Sequence, residues 1–524
     1  MKCELCHEGD AQTVVWKVID GERRELYVCH GCARKEKEGP QKQVKVTPFL
    51  IGGDKRGPTD DKLEKSIIDT ITRHLDKLFK IDDAFPRHIP VGDTFFSFKD
   101  VWGREREVPK PEEKCCPKCR ITSSEVRNGM RLGCPACYAA FADEIAPEIR
   151  EAQRPLDSGG VYPLEPATDE ERGAAIRDVA LGCRIRLAAN LAGSAFPDWA
   201  SDQYREKLFN RIVQAFTEAI PNLVAYAVSS ISDAQKRYLQ EEHAVSPDLL
   251  SGGIGAGVLL LEGDPSFNVM VNEEDHIRYQ IFGNGLDFKS AWERLSQLAQ
   301  RVESRLRIAT DETYGRLTAC PSNVGTGIRA SVMLHLPALG LLQELDPVIR
   351  GLERLRLLVR GGEGEGSAAE GSIFQLSNLD SLGMSPDALI GRVQHFARIV
   401  IDLERQARRR LLRDHPLVLH DALARSLAVL QNAKLISSTD ACSLLSMLRL
   451  GVAMGVLRVN LDLSQIDQLM LAVKPAHFRQ ANSDGFKDEE ERDARRAEYL
   501  NLLRGEIRMD PQPPVGRRGR GKKV

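Results

Sequence analysis

The period of the apolar positions changes along this chain. TVVWKVI and ELYV flank an Asp20-Gly21 turn near the start, which predicts a β-hairpin. Leu63, Ile67, Ile71, Leu75 and Leu78 then fall on one helical face. Asn128-Gly129 marks a second predicted hairpin turn, and a helix is expected after it, through Ile149. Phe209, Ile212, Val213 and Phe216 predict an amphipathic helix, and Gly257–Leu261 and Phe267–Val271 predict strands. From Pro386 onward the pattern is helical and rich in arginine. Leu389, Val393, Phe396, Val400 and Leu403 share one face, and 419–430 and 441–457 continue the series.

A chain of 524 residues accommodates about three or four domains, and 42% hydrophobic content supports real cores. The net charge of −2 exerts no global pull toward nucleic acid or membrane. No apolar run approaches the roughly 18 residues of a transmembrane helix, and MKCELCHEGD has no apolar signal core. A cytoplasmic protein is expected.

Eight of the 12 cysteines sit in four C-x-x-C pairs. In a reducing compartment that spacing means metal or redox chemistry rather than structural disulfides. Cys3, Cys6, Cys29 and Cys32 bracket the first predicted hairpin. Cys116, Cys119, Cys134 and Cys137 bracket the second. Four thiolates on two knuckles suit tetrahedral zinc, so about two zinc ions per chain are expected. A module below about 40 residues needs such a metal to fold. Paired C-x-x-C units argue against a redox pair. Cys115 stands beside Cys116 as an alternative ligand, although the CPKC spacing favours Cys116.

Three further stretches carry chemistry. Residues 320–336 read CPSNVGTGIRASVMLHL, with two glycines that let a backbone approach a ligand and Arg329 placed to fork onto a phosphate. Residues 272–278 read NEEDHIR, and 360–365 read RGGEGE. Together these closely resemble the signatures of the guanidino phosphotransferases, the creatine and arginine kinase family. GSIFQLSN at 371–378, and the absence of that family's helical N-terminal domain, resemble one branch of it, the bacterial protein-arginine kinases (McsB). This resemblance runs from about residue 162 to the end. The first 150 residues resemble that kinase's zinc-binding activator family (McsA) in both cysteine groups and in CPACYAAFADEIAPEIR, without its usual C-terminal helix pair. The chain thus reads as a natural fusion of activator and kinase, with each at high effective concentration for the other.

The resemblance implies roles for particular residues. GCRIR (Gly182, Cys183, Arg184, Ile185, Arg186) is similar to the family's phosphate-clamping strand, with Gly182 and Cys183 replacing hydroxyl residues and Ala189 standing where a third arginine is usual. Alternation puts Arg184 and Arg186 on one side. With Arg278, Arg329 and Arg360 they make a five-arginine nucleotide clamp. Further nucleotide contacts are implied for Ala330, Ser331, Val332 and Met333, and for Gly361, Gly362, Glu363, Gly364 and Glu365. His243 matches the residue that lies against adenine. Glu274 and Glu365 match the two carboxylates that orient the acceptor guanidinium and take its proton, with Glu273 as the near alternative to Glu274. Cys320 matches the active-site cysteine. RDARRA places Arg492, Asp493 and Arg496 in the family's phospho-arginine pocket. The alternative for that segment is a solvated helix face rich in i,i+4 charge pairs.

The implied architecture is zinc-ribbon-like modules, an α+β catalytic domain built on an antiparallel sheet, and an all-α C-terminal domain. The expected boundaries are zinc module 1–38, linker and helix 39–110, zinc module 111–152, linker 153–165, catalytic domain 166–385, helical dimerisation domain 386–508 and a disordered basic tail 509–524. The implied activity moves the γ-phosphoryl of ATP, with Mg²⁺, onto arginine side chains of proteins and marks them for a Clp-type protease. A homodimer is implied, with no nucleic-acid partner. The competing readings are a kinase for free arginine or another small guanidino compound, and a non-catalytic scaffold that binds zinc and phospho-arginine.

Overall fold

A computed structural model of the chain describes the backbone of 13–19 and 22–28, and residues 114–129, 131–152, 162–173, 175–361, 370–482, 485–505 and 507–509. The two N-terminal strands, β1 (Thr13–Ile19) and β2 (Glu22–Val28), pair antiparallel as one hairpin. The amphipathic helix expected at 63–78 and the cysteines at 3, 6, 29 and 32 lie outside the described residues.

The catalytic region is one eight-stranded antiparallel sheet. Its strands are β3 (Ala180–Ala189), β4 (Leu223–Ala227), β5 (Gly257–Leu261), β6 (Phe267–Val271) and β7 (Ile277–Asn284). A two-residue ladder of β8 (Thr310–Asp311) and β9 (Gly315–Arg316) stands apart from it. β10 (Ile328–His335), β11 (Leu357–Gly361) and β12 (Ile373–Asn378) complete the sheet, in the order β11-β12-β10-β3-β7-β6-β5-β4.

Period-two alternation gives the sheet two unlike faces. Cys183, Ile185 and Leu187 of β3, Ala330 and Val332 of β10, and Tyr279 and Ile281 of β7 point into a single hydrophobic core. Helices Asp202–Ala219 and Phe288–Glu303 cover that face, joined by Pro386–Asp414 against β10 and β12. Ser201 and Ser385 cap two of these helices, each accepting a backbone N–H through its side chain, and Pro386 follows at the first helical position. The helix from Pro386 is therefore a layer of the catalytic core as well as the start of the helical region. The opposite face of the sheet carries the charged residues.

The C-terminal helices are tied to this core by buried arginine. The Arg449 side chain has no exposed surface. Its Nε donates to Asp467 at 2.6 Å, and its Nη1 donates to the Asp178 carbonyl at 2.9 Å. Helix Pro475–Ala481 braces the segment before His243. The His477 ring lies 2.7 Å from Glu241 and 2.8 Å from Glu242 and stacks on Tyr238.

The zinc module at 114–152 folds against the catalytic region through a second core. Ile121, Leu132, Tyr138, Phe141 and Ile145 pack with Phe196, Ala309, Leu317, Ala319 and Val324. Among the described residues, no helix is long and apolar enough to cross a membrane.

Candidate active site and zinc centre

Cys116, Cys119, Cys134 and Cys137 offer four sulfurs that all lie within 4.8 Å of one another. Cys116 and Cys134 are 3.8 Å apart, Cys134 and Cys137 3.9 Å, and Cys119 and Cys137 3.4 Å. A tetrahedron with Zn–S bonds of about 2.3 Å has edges of about 3.8 Å, so the quartet fits zinc. Cys115 is exposed and donates to the Arg120 carbonyl at 3.1 Å, which leaves Cys116 as the ligand. The hairpin expected at Asn128-Gly129 is not formed, because residues Ser123–Gly129 are helical. Thr122 Oγ1 accepts from the Glu125 backbone while the Glu125 carboxylate accepts from the Thr122 N–H at 2.8 Å. That reciprocal pair is the capping box written in Thr122-Ser123-Ser124-Glu125, and it outweighs the Asn-Gly turn signal.

A cavity of about 770 Å³ opens on the polar face of the sheet. Register alone brings its cations together. Arg186 of β3 stands directly opposite Arg329 of β10, and Arg184 stands opposite Ser331. On the other side of β3, Arg278 of β7 pairs with Ala188, and on the far edge Arg360 pairs with Gln375. All five arginines line the cavity. Burial, with Arg329 and Arg278 close by, pushes Arg184 down to about 10. Burial and the same cationic neighbours hold Arg186 well below the usual guanidinium range. Like charges placed opposite each other across a sheet are destabilising, so this wall is built for a polyanion.

The carboxylates sit at the turn joining β6 to β7. Asn272 enters it with φ of 53°, a left-handed conformation that asparagine tolerates, and its N–H donates to the His276 carbonyl at 3.0 Å. The turn separates the two glutamates. Glu273 is engaged on both oxygens, by the Ser246 hydroxyl and by Arg278. Glu274 is held more loosely. Asn323 Nδ2 donates to it at 3.3 Å, and Arg278 lies 3.5 Å away. Burial and the adjacent Asp275, opposed by Arg278 and Arg131, push Glu274 up to about 7. Asp275 accepts from Asn190 at 2.6 Å and from the Ala319 N–H at 2.9 Å, which fixes the segment just before Cys320. Cys320 itself lines the cavity.

The two glycines after Cys320 serve a different neighbour from the one expected. A side chain on Gly325 (φ 127°) would meet the Ser381 carbonyl at 2.4 Å, and one on Gly327 (φ 70°) would meet the Ala188 carbonyl at 2.7 Å. The close approach is by the chain's own backbone, and its effect is to lock this loop onto β3 and onto the segment after β12.

Of the residues expected at the nucleotide, Cys183, Ile185, Ala330 and Val332 turn their side chains into the core, as the pleat requires. Gly182, Met333 and Gly361 do not line the cavity, and Ser331 is buried between strands beside Arg184. Gly362, Glu363, Gly364 and Glu365 lie outside the described residues. His243 does line the cavity, and burial pushes it down to about 3, so the ring there is neutral. Sequence reasoning missed Gln240, Met270, Gln280, Gln375 and Arg131, which also line it. Gln280 and Gln375 were legible as polar residues at alternate strand positions. Arg131 had no local signal.

Arg492, Asp493 and Arg496 share one helix, Glu489–Asn501. Arg496, however, is fully buried. Its Nε donates to the Val473 carbonyl at 2.9 Å, its Nη1 donates to the Ile436 carbonyl at 2.8 Å and to Asp493 at 2.6 Å, and its guanidinium lies over Phe478. In this structure Arg496 is closed off from solvent, with its Nη2 without a hydrogen-bond partner, while Arg492 and Asp493 are partly exposed. Arg496→Ala should cost about 1–3 kcal/mol for each carbonyl left without a donor. Arg492→Ala, at a more exposed position, should change stability by less than about 0.5 kcal/mol. Thermal melting of the two variants checks this.

The family model for ATP:guanido phosphotransferase, C-terminal catalytic domain, matches residues 205–407. That for the protein-arginine kinase McsB C-terminal domain matches 416–512, and that for the McsA central zinc-finger domain matches 114–157. A protein-arginine kinase of Symbiobacterium thermophilum is 41% identical over 329 residues, 62% of this chain and 92% of that protein. One of Halothermothrix orenii is 36% identical over 325 residues, again 62% and 92%. Among solved structures, a lombricine kinase superposes with a TM-score of 0.46 at 21% identity, covering 55% of this chain and 86% of that one. With a cationic cavity on its sheet, a four-cysteine zinc finger packed beside it and protein-arginine kinases matched over nearly their full length, the chain belongs to the protein-arginine kinase family and is an ATP-dependent phosphotransferase acting on protein arginine.

Proposed function

We propose that Glu274 is the general base of this kinase and that the five cavity arginines bind the triphosphate. The observation that carries this reading is the facing pair Arg186 and Arg329, with Arg184, Arg278 and Glu274 lining the same cavity. An acceptor guanidinium is protonated at neutral pH and is then a poor nucleophile. The Glu274 carboxylate forks onto it and accepts one of its N–H protons as that nitrogen attacks the γ-phosphorus. The bond from the γ-phosphorus to the β,γ-bridging oxygen breaks and ADP leaves. The arginines neutralise charge on the equatorial oxygens, and the neutral His243 lies against the adenine. The wall being cationic, magnesium would be held by the phosphates rather than by the protein, and would screen their charge. Cys320 sits beside the acceptor, and Glu365 supplies the second carboxylate.

The products mark proteins for a Clp-type protease in the cytoplasm, with two copies of the chain paired through the helical region. Exposed Leu412, Leu417 and Val418 on neighbouring helices support that pairing. Mass spectrometry that preserves the acid-labile N-phosphate, after incubation with ATP, an arginine-rich protein and free arginine, tests the acceptor. Labelling of protein arginine is expected, and turnover of free arginine alone would refute it.

The base assignment has a pH signature. Glu274, pushed up to about 7, is protonated below that value. A protonated carboxyl cannot accept the guanidinium proton, so kcat/KM should fall about tenfold per pH unit on the acid side. A profile flat down to about pH 5 would exclude Glu274 as the base.

A further inference from the structure

The zinc finger reaches the catalytic cavity with a side chain. Arg131, three residues before Cys134, lines the same wall as Glu274 and Cys320. The backbone of the two residues after it is held by the catalytic segment. The Leu132 N–H donates to the Ala319 carbonyl at 2.8 Å, and the Gly133 carbonyl accepts from the Phe196 N–H at 2.9 Å. Asp198, on the catalytic side, pairs with the Arg131 guanidinium. The finger is docked nearby through Tyr138, whose hydroxyl donates to the Thr318 carbonyl at 2.9 Å. The Arg131 and Asp198 side chains are partly exposed, and the guanidinium shares the cavity with the carboxylate cluster.

We propose that Arg131 is a positioning residue of the kinase site: the zinc finger supplies a cation to the cavity that holds Glu274, and the acceptor end of the cavity is complete only with the finger docked. The proposal rests on the reading of Glu274 as the base. The balance of charge explains why a further cation is needed. Glu274 faces Glu273 and Asp275 from its own turn, and Cys320 on the loop after Ala319. Against these stand Arg278 from β7 and Arg131 from the finger, with Asn323 as a neutral donor. Arg278 is already bound to Glu273 and lies 3.9 Å from Asp275, so its charge is divided among three carboxylates. Arg131 is shared between Asp198 and this cluster. This gives the fused activator an electrostatic lever on catalysis, in addition to any docking of substrates.

The test uses the full chain with zinc bound, as wild type, Arg131→Ala, Arg131→Lys and Glu274→Gln. The readouts are kcat/KM on a protein substrate from about pH 5.5 to 9, and zinc content. Arg131→Ala should retain zinc, lose about fivefold in kcat/KM at pH 7 and move the acid limb upward by about one pH unit. Arg131→Lys, which keeps the cation, should bring the limb back. A purely structural role for Arg131 would lower the amount of active enzyme without moving the limb, and that result overturns the proposal. Higher activity in Arg131→Ala would also overturn it, and would mark the guanidinium as an occupant of the acceptor position. An inactive Glu274→Gln beside a silent Arg131→Ala defeats this inference alone. A fully active Glu274→Gln defeats the assignment of the base and this inference with it.

Discussion

Glu274→Gln is expected to lower kcat by at least about a hundredfold, the lower range for loss of a general base, without loss of folded protein. The substitution keeps the shape of the side chain and a hydrogen-bonding partner for Asn323. What it removes is the capacity to take a proton. Because burial and Asp275 raise Glu274 to about 7, the folded state disfavours its charged form. The sign of the linkage follows: above pH 7 the ionised carboxylate costs stability, and a neutral glutamine relieves that cost. The melting temperature of Glu274→Gln should therefore equal or exceed that of wild type at pH 8. The neighbouring Glu273→Gln should behave in the opposite way. Glu273 is buried and bound to Arg278 and Ser246, so its neutralisation leaves Arg278 poorly paired, weakens nucleotide binding and lowers stability. Steady-state kinetics and melting curves of both variants separate the two glutamates. A Glu274→Gln enzyme with near-normal kcat would falsify the base assignment.

Loss of zinc from the Cys116, Cys119, Cys134 and Cys137 site should reduce kcat by about a hundredfold, the cost of misplacing reacting groups by about 1 Å, while the catalytic sheet stays folded. The finger at 114–152 has too few residues to hold its own core without the metal. The core it does have is shared with the catalytic segment, through Phe196, Ala309, Leu317, Ala319 and Val324. When Cys134→Ser opens the site, the hydrogen bonds from Leu132 to Ala319 and from Tyr138 to Thr318 go with it. Cys320 follows directly on Ala319 and loses its support. Phe196 and Val324 become exposed, but the larger core under the sheet, from Ile185 to Leu376, is untouched. Wild type is expected to carry about two zinc ions per chain and Cys134→Ser about one. Metal analysis, circular dichroism and kinase rate on the same preparations check the three parts separately. Full activity in zinc-free protein would show that the finger does not support the site.

Much of the site was legible in the sequence because its parts are local. The strand alternation of GCRIR put Arg184 and Arg186 on one face, and the C-x-x-C spacing named four ligands that meet within 4.8 Å. The helical period from Pro386 and the strands Gly257–Leu261 and Phe267–Val271 follow from side-chain direction, which a few residues set by themselves. The resemblance to guanidino kinases joined these parts into one reaction. Packing between distant segments decided the rest. Glu273 and Glu274 are equal in sequence, and only the tertiary contacts engage Glu273 on both oxygens, by Ser246 and Arg278, and leave Glu274 more loosely held and raised to about 7. The capping glutamate of Ser123–Gly129 overrode a turn that the dipeptide alone favours. Gly325 and Gly327 looked like a ligand's approach and are the approach of Ser381 and Ala188. Arg496 carried the family spacing, yet tertiary contacts to Val473 and Ile436 closed it off from solvent. Arg131 shows the same limit from the other side. Its place beside Glu274 depends on two hydrogen bonds to residues more than sixty positions away, and the free energy of such contacts is a property of the assembled cores rather than of any stretch of chain.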